Sequence, residues 1–140
     1  MTRKVLILVN TGTPDSPDKR NVRRYLSLFL NDSRVIDLPW ILRKILVNLI
    51  IVPFRAPRSA KKYRKLWTDK GSPLLDNMNK LVSKLSDRLK NEYFVIGAMR
   101  YGNPSLEKIL DEIRLSSPDR VVVFPMYPHY SSSTTGSVNE

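Results

Sequence analysis

Three short apolar runs, Val5-Leu-Ile-Leu-Val9, Tyr93-Phe-Val-Ile96 and Val121-Val-Val-Phe124, restrict the possible folds of this chain more than any other feature. Each is rich in β-branched or aromatic residues and is bounded by turn-forming residues, so each is expected to be a buried strand. The stretches between them repeat at the helical period. Val22, Tyr25, Leu26 and Phe29 share one helical face; Leu74, Leu75, Met78, Leu81, Val82, Leu85 and Leu89 form a longer one; Leu106, Ile109, Leu110 and Ile113 form a third. Strands alternating with helices pair in parallel and carry the helices on their faces, so the expected class is α/β with an open parallel sheet. Ser72-Pro73 and Asn103-Pro104 have the form of a cap followed by a first helical turn. At 140 residues the chain is long enough for one globular domain, expected to be soluble. The start, Met1-Thr2-Arg3-Lys4, precedes an apolar stretch too short for a secretory leader.

In an open parallel sheet, ligands collect beyond the carboxyl ends of the strands. The segments that follow the three runs are Asn10 to Pro17, Met99 to Ser105, and Tyr127 to Ser137, and right-handed crossovers would bring all three to one edge. Gly12 and Gly102 fit ordinary tight turns, and the hydroxyl-rich stretches fit ordinary loop chemistry. Arg100 beside Tyr101 could be a surface cation, or could present paired donors to a carboxylate. His129, the only histidine, could be a plain surface residue or could bind a metal or take a proton. The Ser/Thr run around Gly136 lacks both GxGxxG and Walker spacing, so it gives little support to nucleotide binding. Without cysteine, disulfides, thiolate metal sites and cysteine nucleophiles are excluded.

The segment Trp40 to Phe54 is almost wholly apolar apart from Arg43, Lys44 and Asn48. It is too short to span a bilayer, and its length suits either a buried core helix or one lying in a membrane interface. Much of the net charge of +11 sits beside it, on Arg43, Lys44, Arg55, Arg58, Lys61, Lys62, Arg64, Lys65 and Lys70, opposed there only by Asp69. Such a field attracts anions, although charge clusters are also common on solvated helix faces. An apolar slot with a cationic rim would suit a flat apolar ligand with peripheral carboxylates. A nucleic-acid partner is not expected, because the cations accompany an apolar helix and not an exposed stacking platform.

The chain resembles the ferrochelatases, which insert ferrous iron into a porphyrin in haem biosynthesis. The residues that carry the resemblance are Val9-Asn-Thr-Gly-Thr-Pro-Asp-Ser-Pro17, Tyr25-Leu-Ser-Leu-Phe-Leu30 with Arg34-Val-Ile-Asp-Leu-Pro39, Pro53-Phe-Arg-Ala-Pro-Arg-Ser-Ala-Lys61, Gly71-Ser-Pro-Leu-Leu75, Ala98-Met-Arg-Tyr-Gly-Asn-Pro-Ser105 and Pro125-Met-Tyr-Pro-His-Tyr-Ser-Ser-Ser-Thr-Thr-Gly-Ser137. They run in order along the whole chain. The resemblance implies a chelatase fold of two similar Rossmann-like lobes with the porphyrin between them. Residues 1–140 would form the first lobe as a single domain, with a lip segment at about 39–67. By this resemblance Arg55, Arg100 and Tyr101 contact the porphyrin or support its pocket. Thr11 faces the macrocycle where some relatives carry tyrosine, and Ile36 lies where some carry methionine.

The family's iron-binding, proton-accepting histidine belongs to an Ala-His-Ser-type motif in the second half, with a partner glutamate beyond it. Neither matches a residue of this chain. His129 matches a different position, often glutamine in relatives, and offers imidazole to iron without a placed second ligand. What the resemblance implies is therefore ferrous iron as substrate, no tightly bound cofactor, and protoporphyrin IX as the porphyrin. The remaining partner is a missing second half or a second copy of the chain. The expected location is the cytoplasm, with peripheral contact at the inner face of a membrane as a further partner. Three alternatives stay open: an amino-terminal half active only with its complement, a half-size chelatase that dimerises, and a porphyrin- or haem-binding module without catalysis. A first lobe alone would present an open sheet edge and exposed apolar surface.

Overall fold

In the computed structural model, residues 4–139 are described, and the Met1 to Arg3 start lies outside them. Strand β1 (Lys4–Thr13) lies in the middle of a three-stranded sheet, with β2 (Phe94–Gly102) on one side and β3 (Arg120–Pro125) on the other. Both pairings are parallel, as the alternation of strands and helices predicts. Val5 pairs with Phe94 and with Val121, and Ile7 pairs with Ile96 and Val123. In-register neighbours share a face. Val5, Ile7, Val9 and Ala98 therefore point one way, under Leu106, Ile109 and Ile113 of α5 (Leu106–Leu115). Leu8, Val95 and Met99 point the other way, against Met78 of α4 (Pro73–Leu89) and its half-buried leucines. Complete burial of one such side chain, as at Ile7, contributes about 1.5–3 kcal/mol.

A third cluster lies beyond the carboxyl edge of the sheet. Helix α1 (Lys19–Leu30) starts at Asp18, whose carboxylate accepts from the Asn21 amide at 2.9 Å. It buries Val22, Tyr25, Leu26 and Leu30 at helical spacing against Val52, Ala56 and Ala60 of α3 (Val52–Leu66), and Tyr101 completes the cluster. Helix α3 continues a rod that begins with α2 (Trp40–Ile45) and passes through a π-helical turn at Leu46–Ile51. That wider turn ends two residues before Pro53, which has no amide to continue the α-helical bonding. Its effect is to bury Val47 and Val52 together while leaving Ile45, Leu49, Ile50 and Phe54 exposed. A wholly buried core helix, one of the two readings open for this segment, therefore does not describe it.

Several sequence expectations change. Strand β2 extends through Arg100 and Tyr101, which were expected in a loop. Asn103-Pro104 does not start a helix; Ser105 is the cap of α5, its hydroxyl accepting from the Lys108 amide at 3.2 Å. Ser72 stands at the start of α4 but pairs its buried hydroxyl with Thr13 at 2.8 Å and does not cap with it. Strand β3 forms as expected but is not buried: Val121, Val123 and Phe124 are 40%, 37% and 55% exposed. The reason is positional, because α4 and α5 pack over β1 and β2, and no described strand pairs with the outer edge of β3.

The extension of β2 depends on Gly12, which pairs with Tyr101 and has φ +126°. A Cβ there would lie 1.7 Å from the Tyr101 carbonyl oxygen, so the ladder can continue only past a glycine. Gly12→Ala is expected to lower unfolding free energy by on the order of 3 kcal/mol or more, measured by urea titration. Gly71→Ala, also at positive φ but with nothing within 4 Å, should cost only about 1–2 kcal/mol.

Candidate functional site at the carboxyl edge of the sheet

The end of β2, the turn after α1 and the segment after β3 meet at the carboxylate of Asp32. The Tyr101 hydroxyl donates to Asp32 Oδ2 at 2.6 Å, the short distance of a charge-assisted bond. The Arg100 guanidinium approaches the same oxygen at 3.4 Å and donates through Nε to the Ser137 carbonyl at 2.6 Å. Asp32 Oδ1 accepts from the Arg34 amide at 2.8 Å. One carboxylate thus ties together parts of the chain 68 and 69 residues apart. Beside it, the Thr11 hydroxyl donates to the Tyr127 hydroxyl at 3.2 Å, joining the ends of β1 and β3.

Tyr101 is 4% exposed. Burial, with the Asp32 hydrogen bond next in effect, pushes its hydroxyl up to about 12. A line of aromatic contacts leads away from it. The Phe29 ring meets Tyr101 edge-on at 5.2 Å and stacks with Tyr25 at 6.3 Å; Tyr25 meets Tyr63 edge-on at 6.4 Å, and Tyr63 meets Trp67 at 6.3 Å. The Tyr25 hydroxyl donates to the Gly12 carbonyl at 3.3 Å, so the rings are tied to the strand end as well as to each other. Burial also raises the Tyr63 hydroxyl, and its hydrogen bond with Tyr25, with Arg55 next in effect, pulls it back partway.

Charge differs between the two ends of this line. At the Tyr101 end Arg100 is opposed by Asp32. At the α3 end Arg55, Arg58, Lys61 and Lys62 have no carboxylate within ion-pair distance among the described residues. An open cavity of about 560 Å³ borders the Asp32 network on the outer side of α1, where Arg24, Arg43 and Lys44 also reach it.

The residues singled out in the sequence come to different places. Arg100 and Tyr101 lie in the network, and Thr11 lies beside it, half-buried against Tyr127. Ile36 is half-buried against the α1–α3 cluster. Arg55 is exposed on α3, and His129 is exposed after β3. Among the described residues no group of three or more histidine, aspartate or glutamate side chains is placed to hold a metal, and no helix is long and apolar enough to cross a membrane. Asp32, the residue on which the network turns, was missed in the sequence, as were Phe29 and Tyr63 as links in the aromatic line.

Tyr101→Phe is expected to cost about 2 kcal/mol in urea titration, the value of a hydrogen bond to a charged partner. Because folding raises the Tyr101 pKa, its stabilising proton is fully held below about pH 10, the ordinary tyrosine value, and is lost as pH rises toward about 12. The advantage of the unaltered chain over Tyr101→Phe should therefore be constant to about pH 10 and shrink above it.

The sequence model of the ferrochelatase family matches residues 3–140. Curated ferrochelatases of Legionella pneumophila strain Corby are 49% identical over 138 residues, covering 99% of this chain and 41% of the relative. That of Coxiella burnetii strain Dugway is 44% identical over 135 residues, covering 96% of this chain and 38% of the relative. The chain thus spans about two fifths of the length of these relatives. With the match extending over nearly every residue and over all the segments that build the Asp32 network, the chain belongs to the ferrochelatase family.

Proposed function

We propose that this chain supplies the porphyrin-holding lobe of an enzyme that inserts ferrous iron into protoporphyrin in haem biosynthesis. The observation that carries this reading is the convergence of Thr11, Arg100, Tyr101 and Tyr127 at one sheet edge, from which an aromatic line leads to α3, whose cations have no carboxylate partner among the described residues. A porphyrin presents a flat apolar ring with carboxylates at its periphery. Half-buried Ile36 and the rings of the α1–α3 cluster offer apolar contact, and Arg55 offers a cation to a carboxylate. Arg100 and Tyr101 hold the edge of the site through Asp32, which is a supporting role and keeps Tyr101 in its protonated, donating form.

Iron insertion replaces two pyrrole N–H bonds by bonds to the metal, so two protons must leave. A base and further iron ligands are required. Within the described residues His129 stands apart from any such group. We assign binding and orientation to this lobe, and proton removal and iron delivery to the remainder of a longer protein. The exposed face and free edge of β3 provide a surface on which that remainder can pack.

The exposed face of Ile41, Ile45, Leu49 and Phe54, flanked by Arg43, Lys44 and Arg58, suits a shallow position in an anionic membrane interface. In a vesicle sedimentation assay, Leu49→Lys with Phe54→Lys should weaken binding to anionic vesicles by more than tenfold, whereas binding unaffected by that pair of changes would refute the contact.

The central test is titration of the chain with protoporphyrin, followed by an anaerobic assay of ferrous-iron insertion. Expected are saturable binding, no turnover by the chain alone, and turnover once it is joined to the remaining segment. Arg55→Glu should weaken binding by about tenfold through reversal of a carboxylate-facing charge. Failure of the folded chain to bind protoporphyrin would refute the reading. Turnover by the chain alone would replace it with a self-complementing dimer, in which His129 becomes the residue to substitute next.

A further inference from the structure

Resting on the membrane-contact reading, we infer that the cavity bounded by α1, α2 and the end of β2 is a site for the phosphate of an anionic phospholipid, entered while the apolar face of α2 lies in the interface. The cavity has a volume of about 560 Å³, room enough for a glycerophosphate headgroup. Its α1 and α2 walls contribute three cations, Arg24 from the first helix and Arg43 and Lys44 from the second, and no carboxylate. None of the three has a carboxylate within ion-pair distance among the described residues. The carboxylates that reach the cavity come from other elements. Asp32 accepts from Tyr101 and Arg100, Asp15 accepts from the Asn103 side-chain amide at 2.9 Å, and Glu107 belongs to α5.

Arg43 is the best prepared of the three cations. It is half-buried, and its Nη1 donates to the Leu38 carbonyl at 2.7 Å, which holds the guanidinium in place. Its Nη2 takes no bond among the described residues and is left for an anion. Arg24 and Lys44 are exposed and free to turn toward the same ligand, the Lys44 ammonium resting 5.8 Å from the centre of the Trp40 ring. Helix α2 also decides between a lipid and a free phosphate. At the helical period Ile41, Leu42 and Ile45 fall on one side of it, all exposed, and Arg43 and Lys44 fall on the other. Exposed Leu28 stands on the α1 wall of the cavity. A free phosphate needs only the cations, whereas a lipid needs cations in a cavity beside an apolar surface, and α2 supplies both. A phospholipid phosphate stands outward from its chains and offers oxygens in more than one direction, so cations from two helices reach it together. A fatty-acid carboxylate sits at the end of its chain with two coplanar oxygens, and a shallow α2 leaves it outside the cavity.

The test is sedimentation of the folded chain with two kinds of vesicle of equal surface charge, one containing phosphatidylglycerol and the other oleate as the anion. The unaltered chain is expected to bind the phosphatidylglycerol vesicles about tenfold more tightly. Arg24→Gln with Lys44→Gln changes two exposed residues that form no hydrogen bond among the described residues, and should bring that ratio to within about twofold of unity. Lys61→Gln with Lys62→Gln removes the same charge from exposed α3 positions outside the cavity, and should weaken binding to both vesicles with the ratio intact. Diffuse attraction of basic residues to a charged surface predicts one ratio for both pairs, and that result would overturn the inference. Equal binding of the two vesicles by the unaltered chain would do the same, and calorimetric binding of inorganic phosphate alongside it would assign the cavity to a free phosphate. So would the Arg24 and Lys44 pair lowering protoporphyrin affinity by about tenfold without moving the vesicle ratio, which would give these cations to the porphyrin. Binding of neither vesicle by the unaltered chain would refute the membrane contact itself, and is distinguishable because it precedes any substitution.

Discussion

The approach of β1 to β2 at Gly12 and Tyr101 is the constraint on which the carboxyl edge depends. A parallel ladder normally frays at its end, yet here it continues far enough to carry Arg100 and Tyr101 out of the loop and into the sheet. Only a residue without a Cβ, at positive φ, permits that approach. Once Tyr101 is held there, its hydroxyl finds Asp32, its ring meets Phe29, and its backbone presents Arg100 to the Ser137 carbonyl. The chain thereby gains a fixed polar centre from residues that strand geometry, not loop conformation, has positioned. Sites held by regular elements keep their geometry more closely than sites on free loops.

The rod of α2, the π turn and α3 answers a different demand. Its inner face needs Val47, Val52, Ala56 and Ala60 against α1, while its outer face carries large apolar side chains that no described residue covers. One extra residue per turn in the π segment is how both faces are served by one continuous helix. Small alanines on the inner face let α3 come close to α1, which brings Tyr63 within range of Tyr25. The burial that stabilises the lobe and the exposure that sets its surroundings are two sides of the same element.

The architecture was readable in the sequence because it follows from periodicity. Apolar runs and helical repeats are local signals, and parallel pairing follows from their alternation. The candidate site at the carboxyl edge was readable only in outline. Arg100, Tyr101 and Thr11 could be picked out as polar residues after apolar runs, and they do gather. Asp32 could not, because its partners lie 68 and 69 residues away and nothing local distinguishes it from any acidic residue after a helix. Ser72-Pro73 marked the start of α4 correctly, although the Ser72 hydroxyl is drawn to Thr13, whereas at Asn103-Pro104 a sound local rule lost to a better-placed cap at Ser105. The exposure of β3 was equally beyond local reading, since burial depends on what packs over a strand and not on its composition.

The strand order also has a consequence in time. The central strand leaves the ribosome before either of its neighbours, which come much later: Val5 waits for Phe94 on one side and for Val121 on the other. At the usual pace of synthesis that interval is on the order of ten seconds. For that period the most deeply buried strand of the lobe has no ladder to join, and the loop that must close to reach its first partner is nearly ninety residues long, between Val5 and Phe94. The sheet therefore grows around a strand that precedes both of its neighbours, and the apolar surface of β1 stays unpaired while the intervening helices are being made.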